Sequence, residues 1–135
     1  MKRSFTTLAA CTALLASISL TTQAQQHPEV FIKSPADGAM VSSPVKIEFG
    51  LKGMTVSPAG TGPVNSGHHH LIVDGEVPAL DKPMGGEVTH FGKGQTQTSL
   101  ELAPGKHTLQ LIMGDKAHTP HKEPVISKQI TITVK

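Results

Sequence analysis

From residue 29 onward, apolar and polar residues alternate with a period of two. In VKIEFGL (45–51), Val45, Ile47, Phe49 and Leu51 alternate with Lys46, Glu48 and Gly50, the pattern of a half-buried strand. KHTLQLIM (106–113) sets Leu109, Leu111 and Met113 on one face. KQITITVK (128–135) turns Ile130, Ile132 and Val134 inward and Thr131 and Thr133 outward. Shorter strands are predicted over 29–33, 68–73 and 98–102, and no segment after residue 24 has a helical period. The turn signals SPADGA, VDG, APGK and MGDK separate the runs. Six or seven short strands predict an all-β fold, an immunoglobulin-like antiparallel β-sandwich of about seven strands spanning 25–135. LAPGKHTLQL fits the corner that enters the penultimate strand of such domains, with His107 where tyrosine often stands. Two long connections, 52–67 and 74–95, are rich in Gly, Pro, Ser and Thr and are expected to be functional or mobile.

The first 24 residues follow different rules. Lys2 and Arg3, the apolar LAACTALLASISL and Thr22-Gln23-Ala24 make a basic head, an apolar stretch and a small-residue cleavage site. A secretory signal peptide cleaved after Ala24 is expected, hence a periplasmic, exported protein with no membrane span. LAAC at 8–11 also matches a lipobox centred on Cys11, but the apolar run continues past it to Leu20. Cleavage would remove the chain's 1 cysteine, and with it disulfides, thiolate nucleophiles, zinc fingers, iron–sulfur clusters and blue-copper sites. It would also remove two of the 12 basic residues and none of the 10 acidic ones, leaving no net charge. With so few aromatics and no basic stripe, nucleic acid is not expected as a partner.

What remains chemically distinctive is 8 histidines. In a strand, His68 and His70 point to one side with Ile72, while His69 points to the other with Leu71 and Val73. The Cβ atoms of His68 and His70 would lie roughly 7 Å apart, close enough to converge on one copper, zinc or nickel ion. His118 and His121, in GDKAHTPH, fall in the loop between the last two strands. In an immunoglobulin-like sandwich that loop lies at the same end as the start of the third strand. The topology therefore gathers His68, His70, His118 and His121, with Met113 and Met54 in the vicinity. His90, in the long loop, could reach either end. His107, about 20 Å from Met113 along its strand, is read as a structural corner residue, and His27 as a solvated terminal residue. Met40 and Met113 are expected to fill core gaps; Met54 and Met84, in loops, are the better soft ligands.

No nucleophile-elbow motif or paired carboxylates appear, so an enzyme is not expected. The expected function is a non-enzymatic metal-binding protein: copper, with zinc as the alternative, held by His68, His70, His118, His121 and His90. Neutral imidazoles bind, so affinity should fall below about pH 6.5. The competing reading is an interaction or envelope-structural module that meets another periplasmic protein and uses its histidines as loop hydrogen-bonders.

The phrases SPADGAMVSSPVKIEFGLKGM, GHHHLIVDG, HFGKGQT and PGKHTLQLIMGDKAHTPH resemble those of the bacterial domain-of-unknown-function family 4399. This resemblance covers the chain after the leader and implies a small exported β domain without supplying an activity. It also implies one polar network of His68, His69, His70, His90, His107, His118 and His121, in contrast with the separate role read for His107. SPADGA is similar to the opening of periplasmic copper-resistance proteins with immunoglobulin-like sandwiches, which implies copper.

Overall fold

The computed structural model describes Ala24 and residues 26–135. All of the predicted leader except Ala24, Cys11 included, lies outside them. Nine strands and no helix form among the described residues. Six are long: β1 (Glu29–Ser34), β3 (Val45–Lys52), β5 (Ser66–Val73), β7 (Gln97–Leu100), β8 (Gly105–Gly114) and β9 (Ile130–Val134). They correspond to the six strands the alternation predicts. Three two-residue strands complete the set: β2 (Met40–Val41), β4 (Thr55–Val56) and β6 (Thr89–His90). No helix of the described residues is long and apolar enough to cross a membrane.

One sheet runs β1-β3-β7, antiparallel throughout. The other runs β2-β9-β8-β5-β4, with β6 also pairing β5. β5 and β8 are antiparallel from His68↔Gly114 to Val73↔Leu109, so the first residues of β5 meet the last of β8. The two sheets close on Val30, Val45, Ile47, Phe49, Leu71, Leu109, Leu111, Met113 and Ile132, all buried. Every one of these on β3, β5, β8 and β9 occupies the predicted inward phase, because period two leaves one face per strand to be hidden from water.

β5 departs from the half-buried pattern. Its residues would be expected to alternate in exposure, yet the first seven are all buried. Residues 74–95 fold back over its outer face and form a second apolar cluster with Ile72, Met84, Val88 and Ile112. The connection read as functional or mobile is thus a packed cover, anchored by β6 against His70 and Leu71 and by Phe91, whose ring meets Phe49 edge-on at 4.9 Å.

The methionines also sort differently from expectation. Met113 fills the core as predicted, but Met40, on the short edge strand β2, is 65% exposed. Met54 packs half-buried against the main core and Met84 is buried in the outer cluster.

At the far end of β5 and β8, His107 is a corner residue. Its Nδ1 lies 2.6 Å from Asp74 Oδ2 and its Nε2 2.7 Å from the Ala103 carbonyl. Both partners only accept, so both nitrogens must donate, and the ring is an imidazolium. The Asp74 hydrogen bond and then the Ala103 carbonyl raise its pKa accordingly. His107 joins no polar network with the other histidines: the β5–β8 register puts it at the opposite end of the strand from Gly114.

Candidate metal centre

The alternation along β5 splits the three adjacent histidines. His69 turns into the main core, its ring 5.0 Å from that of Phe49. His68 and His70 turn outward under the cover, their ring centroids 4.5 Å apart and neither ring exposed. β6 then sets His90 directly opposite His70, with ring centroids 4.7 Å apart.

The fourth ring comes from the loop after β8. That loop is tied by Asp115, whose Oδ1 accepts from the amides of Ala117 (2.8 Å) and Thr119 (3.0 Å). Its backbone carbonyl accepts from His118 N at 3.0 Å. The tight turn holds His118 at a φ of 64°, a left-handed conformation that side-chain-bearing residues adopt at a cost of roughly 1–2 kcal/mol. The His118 carbonyl accepts from Met84 N at 2.9 Å, fastening the turn to the cover. The outcome is that His118 faces the strand histidines.

Three imidazole nitrogens converge on one atom. His118 Nδ1 lies 3.0 Å from His68 Nε2, 3.4 Å from His70 Nε2 and 3.2 Å from His90 Nδ1. The donor atoms of His68, His70 and His118 all fall within 4.8 Å of one another. His90 Nε2 is 2.8 Å from the Gly85 carbonyl. A carbonyl can only accept, so that nitrogen carries the ring's proton and Nδ1 presents a lone pair. A carbonyl orienting one ring nitrogen while the other faces inward is the usual support of a metal-bound imidazole.

Hydrogen bonding alone cannot satisfy this group. Each neutral imidazole has one N–H, and His118 Nδ1 either donates one proton or accepts through one lone pair. At most one of its three neighbours is then well served, and the others meet it lone pair to lone pair. A cation at the centre would be attracted by all four. Nitrogens at about 2.0–2.1 Å from a tetrahedral ion stand about 3.3 Å from each other, close to the three separations seen.

Protonation of His68 or His70 does not relieve the crowding near neutral pH. Burial first, and then the neighbouring imidazoles His118 and His90, push the pKa of His68 down to about 4. Burial and then His68, His90 and His118 push that of His70 down to about 3. Both rings therefore hold their lone pairs well below the pH of about 6.5 at which ordinary histidine charges. The acid limit expected from ordinary imidazoles moves downward for these two rings.

His121 stays outside the group. The turn at Pro120, which bridges back to Gly114, carries its ring across to Gly67, and its Nε2 is buried with no hydrogen-bond partner among the described residues. His27 is exposed beside Glu123. The sequence placed His68, His70 and His118 together, but left His90 undecided and gave no sign of the Gly85 carbonyl that orients it. The pairing of TH (89–90) with HL (70–71) joins segments with no turn signal between them, so only packing reveals it.

Gly114 leaves the room that His70 needs. A Cβ there would overlap the His70 ring and stand 2.9 Å from Met84 Cε. Gly114→Ala is expected to destabilise the fold by about 1–3 kcal/mol through overpacking and to displace His70 from the cluster. Denaturant melts and a metal titration of this variant check both effects.

The family described as "Domain of unknown function (DUF4399)" matches residues 47–135. No match was found among curated proteins or among solved structures. The matched segment contains every histidine of the cluster and all but one of the long strands from β3 onward in full, and the chain belongs to the DUF4399 family.

Proposed function

We propose that this is an exported, non-enzymatic protein that binds one copper ion through His68, His70, His90 and His118. The observation that carries the reading is the convergence of three imidazole nitrogens on His118 Nδ1 at 3.0–3.4 Å, two of them from the buried rings of His68 and His70, which burial favours in the neutral form. An all-nitrogen set of borderline donors suits first-row divalent ions, and the stability order among them places Cu(II) above Zn(II). Zinc is the alternative occupant, since imidazole nitrogens are among its usual ligands in four-coordinate sites. Export to the periplasm is supported by the basic head, apolar stretch and small-residue site of the first 24 residues.

Calorimetric titration of the tag-free protein with Cu(II) and with Zn(II) tests the reading, since the chain has no Trp or Tyr to report by fluorescence. One ion per chain is expected, with copper held more tightly. His68→Ala/His70→Ala should weaken binding by at least about a hundredfold, because loss of supporting groups alone costs 10–100-fold. Unchanged affinity in that variant would remove the proposed site.

A further inference from the structure

His121 was expected among the ligands, and its position suggests a different part in the same chemistry. A cleft of roughly 270 Å³, lined by Ser66, Asp115, Lys116, His121 and Lys122 among others, opens beside the cluster. His121 Nε2 has no hydrogen-bond partner among the described residues and lies against Gly67, where a Cβ would come within 2.9 Å of it. The absent side chain at Gly67, one residue from His68, is what lets that nitrogen and the Gly114 carbonyl pack against the strand there. Asp115 lines the same cleft, and only its Oδ1 is engaged by the turn. Burial is the main influence on both His68 and His121, and at both rings the Asp115 carboxylate opposes it, so its field spans cleft and cluster. The exposed Lys116 and Lys122 can turn their ammonium groups to solvent. His68 and His70 themselves have no exposed surface, so an ion must reach them past other groups.

We propose that His121 and Asp115 form a transient entry position for the divalent cation, which then passes to the His68–His70–His90–His118 cluster. This rests on the metal-binding reading above. The transfer is a ligand exchange: the bonds from the metal to His121 Nε2 and to an Asp115 carboxylate oxygen are given up as bonds to His68 Nε2 and the other cluster nitrogens form, with no proton or electron moved. Two donors hold an ion weakly, as a station on the way to a four-nitrogen site requires.

The test separates rate from affinity. Cu(II) is presented as its complex with a chromogenic chelator, and its transfer to the protein is followed by the loss of colour. His121→Ala is expected to slow transfer roughly tenfold while the equilibrium affinity changes less than about threefold. His121→Gln, similar in volume, serves if the alanine variant unfolds, and should slow transfer in the same direction. Asp115→Asn keeps the oxygen that binds the turn amides, removes the charge, and should slow transfer to a smaller extent. An unchanged rate in the His121 variants overturns the entry role. An affinity loss in them as large as that of His68→Ala overturns it too, making His121 a resident ligand. If the wild-type protein takes up no metal, the binding reading itself fails; normal uptake with unchanged kinetics defeats the entry role alone.

Discussion

Metal-free protein is expected to lose its stability steeply as the pH falls from 6.5 toward 4. His68 and His69 have pKa values of about 4 and His70 of about 3 in the folded state, each lowered first by burial. Unfolded, each would titrate near 6.5. The unfolded chain therefore takes up protons that the folded one refuses, so stability is full above pH 6.5 and declines below it. With up to three protons involved, the slope reaches about 4 kcal/mol per pH unit, against a total stability of about 5–15 kcal/mol for typical domains. By pH 5 the loss amounts to about 6 kcal/mol, enough to unfold a domain at the low end of that range. His107 works with the opposite sign: its raised pKa gives stability that is present below 6.5 and lost as the pH climbs through the folded value. Urea melts followed by far-ultraviolet circular dichroism, in the presence of a chelator, should trace a steep acid limb and a shallow alkaline one. A flat profile between pH 7 and 4.5 would show that the buried rings are not held neutral. Saturating metal should move the acid limb to lower pH, because it binds the neutral rings of the folded state only.

His118→Gly should uncouple binding from folding. The wild-type residue sits in the left-handed region at a φ of 64°, where glycine has no steric penalty. Relief of about 1 kcal/mol offsets the extra freedom glycine gives the unfolded chain, so metal-free stability should be unchanged within about 1 kcal/mol. Removing the ring also removes the atom on which three other nitrogens converge, and affinity should drop at least about a hundredfold. A purely structural network predicts the reverse pattern. Deleting the partner of the one hydrogen bond that His118 Nδ1 can make would cost about 1–3 kcal/mol for the group left unsatisfied, with no metal affinity to lose. Thermal melts of the metal-free variant beside a Cu(II) titration distinguish the two.

The strands were legible because period two requires only that one face be hidden. Val45, Ile47 and Phe49 on β3, and Leu109, Leu111 and Met113 on β8, carry that signal without help from the rest of the chain. The same alternation divided His69 from His68 and His70, and the order of strands brought His118 to them. The cover over β5 was not legible. Met84, Val88 and Phe91 are too few and too irregularly spaced to show a period, and their burial depends on a surface that exists only after β5 and β8 pair. His90 was undecided for the same reason. His121 lies apart from the other rings because loop proximity in sequence says nothing about which side of Gly114 a ring will pass, and Met40 is exposed because a two-residue edge strand has little to pack against.

His68 and His118 are 50 positions apart in the chain and 3.0 Å apart in space. An ion shared by them would act as a cross-link, closing a loop that the unfolded chain would otherwise leave open. For a loop of that length, chain-entropy arguments put the stabilisation by a covalent bridge at about 4 kcal/mol. Residues 25–135 contain no cysteine with which to make such a bridge. Their β5, cover and final turn are instead placed so that one coordinated ion would join all three, and metal supply would then determine how long the folded chain survives.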